Sequence, residues 1–294
     1  MKTFLKSLNS IEKINFIYLL FLMFLSFILL FKEATPFITN NVLLYTTLLI
    51  IIFYINYNKE RFSGSSNKII RYIFANKLYN LIYLVLFVPL IFGSLEYIVP
   101  YFFPPADHYL ARIDSILLFN FPLFQFLDIN VNRPLLNAVL QIIYIIYFFL
   151  PLVVVTAHFL LKDYKKIEED IFYITLGLYL CYIGYILVPA FGPRFYYSFQ
   201  HPLAGGTIFT TLNDLLNQLE RNKLDAFPSA HIEMGLLVTF LVRKNKILFP
   251  LFVIEFIGIV IATILLRYHY IIDIIAGVLF FIVTYYVGKI LYKE

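Results

Sequence analysis

Residues 225–290 decide the architecture. They open with Asp225-Ala226-Phe227-Pro228-Ser229-Ala230-His231, continue as an apolar run to 242, and turn at Arg243-Lys244-Asn245-Lys246. A second apolar run covers 247–266, then come Arg267-Tyr268-His269-Tyr270-Ile271-Ile272-Asp273 and a last apolar run over 270–290. A helix needs about 20 apolar residues to cross a bilayer. Two such runs joined by a short basic turn cross and return, so the two polar motifs stand at one face. The first run, 228–242, is short and reaches a useful length only if its helix begins at Pro228, a residue suited to the first helical turn.

Working outward with the same rule gives eight spans, at roughly 14–31, 41–57, 78–99, 134–160, 170–190, 228–242, 247–266 and 270–290. The composition agrees: 61% of residues are hydrophobic and 14% charged, whereas soluble domains carry about 25% charged residues. The fold class expected is therefore all-α, a polytopic integral membrane protein. A net charge of +5 would suggest a nucleic-acid partner in a soluble protein, but here it records topology, and no nucleic acid is expected. Cys181 is the only cysteine, which excludes a disulfide framework and a thiolate metal site. The first apolar run is too long for a signal-peptide core and is read as a span.

Sixteen of the 23 Lys and Arg residues lie in the N-terminal tail, the 58–77 loop, the 161–169 loop, the 243–246 turn and the C-terminal end. The other seven, Lys32, Arg112, Arg133, Arg194, Arg221, Lys223 and Arg267, lie on the opposite side. Positive charge marks the cytoplasmic side, so both termini are expected there. The motifs then face outward, and in a prokaryote the location is the cell membrane.

Ionisable groups at the ends of apolar helices are costly to hold and point to function. His269 and Asp273, four residues apart, share a helical face. The carboxylate can take the imidazole N–H and leave the other nitrogen free to attack. His231 suits a general acid. Arg267, beside the helix entrance, and Arg194, in Gly192-Pro193-Arg194, offer planar forks of donors to phosphate oxygens. Ser229 adds a hydroxyl at a helix start that favours anions. This is equipment for metal-free phosphoryl transfer: no metal or organic cofactor is expected, since the arginines repel a cation and the spacing lacks a second ligand pair. His108, His158 and His201 receive no role.

The two motifs resemble the second and third signatures of the type 2 phosphatidic acid phosphatase superfamily, membrane enzymes with a six-helix core. The resemblance implies that His269 forms a phosphohistidine, His231 protonates the leaving group, Asp273 supports the nucleophile and Ser229 binds phosphate. It covers 78–294, leaving residues 1–60 as two accessory N-terminal helices. The usual first signature is absent, since position 126 is Phe where a Lys belongs. Ala230 replaces a glycine, and Thr263 stands where the third signature places its arginine. These departures resemble the branch containing inositol phosphorylceramide synthases, with Arg194 standing in for the first signature.

The expected activity is hydrolysis of a membrane lipid phosphate ester at the non-cytoplasmic face. The alternatives are transfer of a phospho-head group to a lipid hydroxyl, or lipid binding or transport without turnover. The partners expected are the lipid substrate and the bilayer; the lipid, any acceptor and the oligomeric state are left open. Two outer stretches complete the reading. Leu212, Leu215, Leu216 and Leu219 have the spacing of a helix lying in the interface. The 105–128 stretch, with Asp107 and Asp114, is a second such element. Each is either a lid over the pocket or a connector resting on the membrane.

Overall fold

The computed structural model describes residues 2–32, 36–130, 133–219 and 222–292. Arg221, counted above, lies outside the described residues. The described residues contain helices and no strand. The long apolar helices are α1 (Ser10–Lys32), α2 (Pro36–Ser63), α3 (Leu78–Tyr101), α6 (Pro134–Leu160), α7 (Tyr164–Leu187), α10 (Leu248–Leu265) and α11 (Ile271–Leu291). Between them lie the shorter α4 (Asp107–Leu117), α5 (Leu123–Asn130), α8 (Gly206–Leu219) and α9 (Ala230–Leu241). Seven helices among the described residues are thus long and apolar enough to cross a membrane, which makes the chain an all-α polytopic membrane protein.

The eighth expected span is α9, and its start differs from expectation. The helix begins at Ala230, not Pro228, because Ser229 takes the cap position and its side chain accepts the Ile232 N–H. Its 12 residues would cover only about 18 Å at 1.5 Å per residue. The helix can be short because it sits among α7, α10 and α11, with most of its side chains buried. Helix α7 also starts earlier than the apolar run suggests. Asp163 accepts the Lys166 N–H and so caps a polar first turn.

Two long helices are irregular. Helix α3 has a wide π turn at Tyr83–Phe87, which ends two residues before Pro89. Proline has no N–H for the residue four back, and the preceding turn opens to the longer register. Helix α6 tightens to a 3-10 turn at Tyr147–Phe149 ahead of Pro151. The N-terminal pair α1 and α2 makes polar contacts with the helices beside it: Tyr179 Oη donates to Asn15 Oδ1 at 2.6 Å, and Asn41 Nδ2 donates to the Ser94 carbonyl at 2.9 Å. The end of α7, the starts of α9 and α11 and the end of α10 meet at one end of the bundle, where Ser229 N–H donates to the Asp273 carbonyl at 3.1 Å.

Candidate active site

At that end a cavity of about 360 Å³ runs between α3, α6 and α7. Its floor and flanks are apolar, with Val85, Val88, Phe148 and Leu152 among the lining residues, while His231, His269, Arg194, Lys223 and Asp225 line its polar part. Val85 and Leu152 are also exposed on the outer surface of the bundle.

The two imidazoles stand with ring centroids 5.7 Å apart. In His269, Nδ1 lies 2.8 Å from the Ala226 carbonyl. A carbonyl only accepts, so this nitrogen carries the hydrogen and Nε2 keeps its lone pair. That Nε2 is buried and has no protein partner. Burial pushes the His269 imidazole down to about 4, against the opposing pull of the Asp225 carboxylate, so the ring is neutral near pH 7.

His231 is held differently. Tyr144 and Tyr147 lie on either side of its ring, each with its centroid 4.1 Å away. The 3-10 turn in α6 begins at Tyr147, the second of these two residues three apart. Tyr144 Oη is 3.3 Å from His231 Nδ1; donation by this hydroxyl leaves the hydrogen on Nε2. His231 Nε2 is also buried without a protein partner. Two buried imidazole nitrogens with no protein partner thus belong to one cavity.

Arg194 reaches the cavity from a turn that only glycine permits. Gly192 has φ +84°, and a Cβ there would lie 2.3 Å from the Tyr268 carbonyl oxygen. The guanidinium stands over the Tyr268 ring at 4.6 Å, and its Nη atoms are 3.4 Å from the side-chain oxygens of Asn213 and Asn217 on α8. Leu216 and Phe209 of α8 are buried against Leu140, Tyr144 and Tyr268. Phe209 and Leu216 are therefore covered by α6 and the His269 loop, while Leu215 and Ile208 stay exposed.

The remaining expected residues are placed elsewhere. Asp273 Oδ2 is 3.4 Å from His269 Nδ1, the one-turn pair expected, but it accepts the Tyr270 N–H at 2.8 Å. The Ala226 carbonyl is the closer partner of the imidazole. Arg267 is not brought to the cavity: its guanidinium is 3.0 Å from Asp128, donates to the His201 carbonyl at 3.2 Å and stands over Phe199. Ser229 is fully buried and serves as the α9 cap; it does not line the cavity. His158, given no role, pairs with Asp170 at 2.7 Å.

Sequence reasoning missed Lys223 and Asp225. Asp225 heads the quoted motif, six residues before His231, and that position was its only signal. Burial pushes its carboxyl up to about 6, partly offset by His269 and Lys223.

A family model described as the PAP2 superfamily matches residues 108–287, more than half of the chain. No curated protein and no solved structure matches it.

Proposed function

From the premise that this chain belongs to the PAP2 superfamily, whose activities are of the lipid phosphatase and phosphotransferase type, we propose that it hydrolyses a membrane lipid phosphate ester through a phosphohistidine on His269. The observation that carries this reading is the pair of partnerless Nε2 atoms in one cavity, beside a guanidinium and an ammonium.

In the proposed cycle the phosphate sits between Arg194 and Lys223. His269 Nε2 attacks phosphorus, forming the P–N bond as the P–O bond to the lipid breaks. His231 enters the step as the imidazolium, with Tyr144 Oη accepting from its Nδ1, and gives its Nε2 hydrogen to the departing oxygen, which leaves it neutral. Water then attacks the phosphohistidine, its proton passes to His231, and inorganic phosphate leaves with both imidazoles restored. Asp273 backs the His269 side of this exchange and caps α11. Arg194 and Lys223 face the equatorial oxygens, where charge is carried in the transition state. Arg267 and Ser229 act one step back in this scheme: Arg267 fixes the loop that bears His269, and Ser229 fixes the helix that bears His231.

A second reading, transfer of the phospho-head group to a lipid hydroxyl, is favoured by one observation: the cavity continues as an apolar space between α3 and α6, where an acceptor lipid could reach the intermediate. A single experiment separates the readings. Purified protein in detergent, with EDTA present, is given a labelled phospholipid and a range of lipid alcohols. Label in inorganic phosphate or a free head group supports hydrolysis, label in a new lipid supports transfer, and no turnover rejects both. We place the site on the non-cytoplasmic side, on the strength of the cationic bias.

A further inference from the structure

The outer segment α4–α5 carries three buried carboxylates, Asp107, Asp114 and Asp128. Each accepts backbone N–H groups from the loops that build the cavity. Asp128 takes Gln200 and His201 and pairs with Arg267. Asp114 takes Ile271 at 2.8 Å and Ile272 at 2.9 Å, donors of the first turn of α11 that have no helical partner. Asp107 is the branch point. Its Oδ2 accepts the Phe191 N–H at 2.9 Å, and its Oδ1 accepts the Gly192 N–H at 2.9 Å and the Tyr270 hydroxyl at 3.0 Å. Phe191 and Gly192 open the turn that carries Arg194, while Tyr270 directly follows His269.

We infer that Asp107 is a positioning residue: by holding the 191–194 turn and the 269–270 segment on one carboxylate, it sets the separation between the Arg194 guanidinium and His269 Nε2. Three donors converge on it, which a carboxylate satisfies with two oxygens and an amide cannot, because half of its polar surface donates. The two segments come from parts of the chain more than 70 residues apart. A loosened bridge would misplace cation and nucleophile, and displacements of this kind are worth orders of magnitude in rate.

The inference rests on the proposed function, and the test keeps the two apart. Tyr270→Phe removes only the hydroxyl and leaves the two backbone bonds to Asp107. With an activated aryl phosphate, kcat per active site should fall roughly tenfold while KM and the unfolding midpoint hold. Asp107→Asn should show at least the same loss, and Tyr270→Phe added to it should cost little more, since both cut one link. Orthovanadate, which must meet Arg194 and His269 together, should bind each variant more weakly in parallel. Unchanged kcat and vanadate affinity in Tyr270→Phe, or losses that multiply in the double variant, overturn the inference. A wild-type protein that binds vanadate but turns over no phosphate ester rejects the functional reading alone, and vanadate affinity then decides the role of Asp107.

Discussion

His269 and His231 differ in what their Nδ1 atoms meet, a carbonyl in one case and a hydroxyl in the other. In the proposed cycle the first attacks and the second donates the proton. His269→Ala should abolish turnover and any trapped phosphoenzyme. His231→Ala should lower kcat by about 10²–10⁴-fold on an alkyl ester and far less on an activated aryl phosphate, whose leaving group needs no proton. Equal losses on the aryl ester would reject this division. The pH profile makes a separate demand. The folded value for His269, about 4, lies below that of a free imidazole, so this ring stays neutral as pH falls through 6.5 and is protonated only near 4. Asp225, pushed up to about 6, is the group that changes charge between. We expect an inflection near 6 that disappears in Asp225→Asn, with the acid limb of His269 moving below 4 because the carboxylate that held it up is gone. A limb at 6.5 that survives Asp225→Asn would place the nucleophile elsewhere.

Short elements rather than long ones present the site. Helix α9 stops at its Ser229 cap, the 3-10 turn of α6 sets Tyr147 beside His231, and Gly192 turns the chain toward the cavity. Gly192→Ala meets two obstacles, the positive φ and the Tyr268 carbonyl at 2.3 Å. A loss of about 1–3 kcal/mol in stability is expected, together with weaker phosphate binding through Arg194, and thermal unfolding plus vanadate affinity would check both. The sequence showed the long helices because hydrophobic runs are read one residue at a time. It did not show that Ser229 caps α9, since proline and serine both mark helix starts. Nor could it show that Arg267 turns to Asp128. That choice depends on a carboxylate 139 residues earlier in the chain, and no local pattern encodes such a meeting. His231 and His269 were legible because each stands at the mouth of an apolar run.

For the whole molecule, the number of crossings made it possible for 225–231 and 267–273 to share an end, and in the structure these segments are bonded to each other through Ser229, Ala226, His269 and Asp273. Which side of the membrane that end faces is a further expectation. In a Cys181→Ser background, a cysteine at Thr210 should react with an impermeant thiol reagent in intact cells and one at Lys165 should not; both positions are exposed, and the reverse pattern would invert the topology. Helices α3 and α6 border the cavity with residues such as Val85 and Leu152 that also stand on the outer surface. An ester arriving by that route is met through sideways diffusion within one leaflet, never from bulk water. Saturation should accordingly follow the mole fraction of substrate in the micelle, and adding inert detergent at fixed total substrate should slow the enzyme as though substrate had been removed.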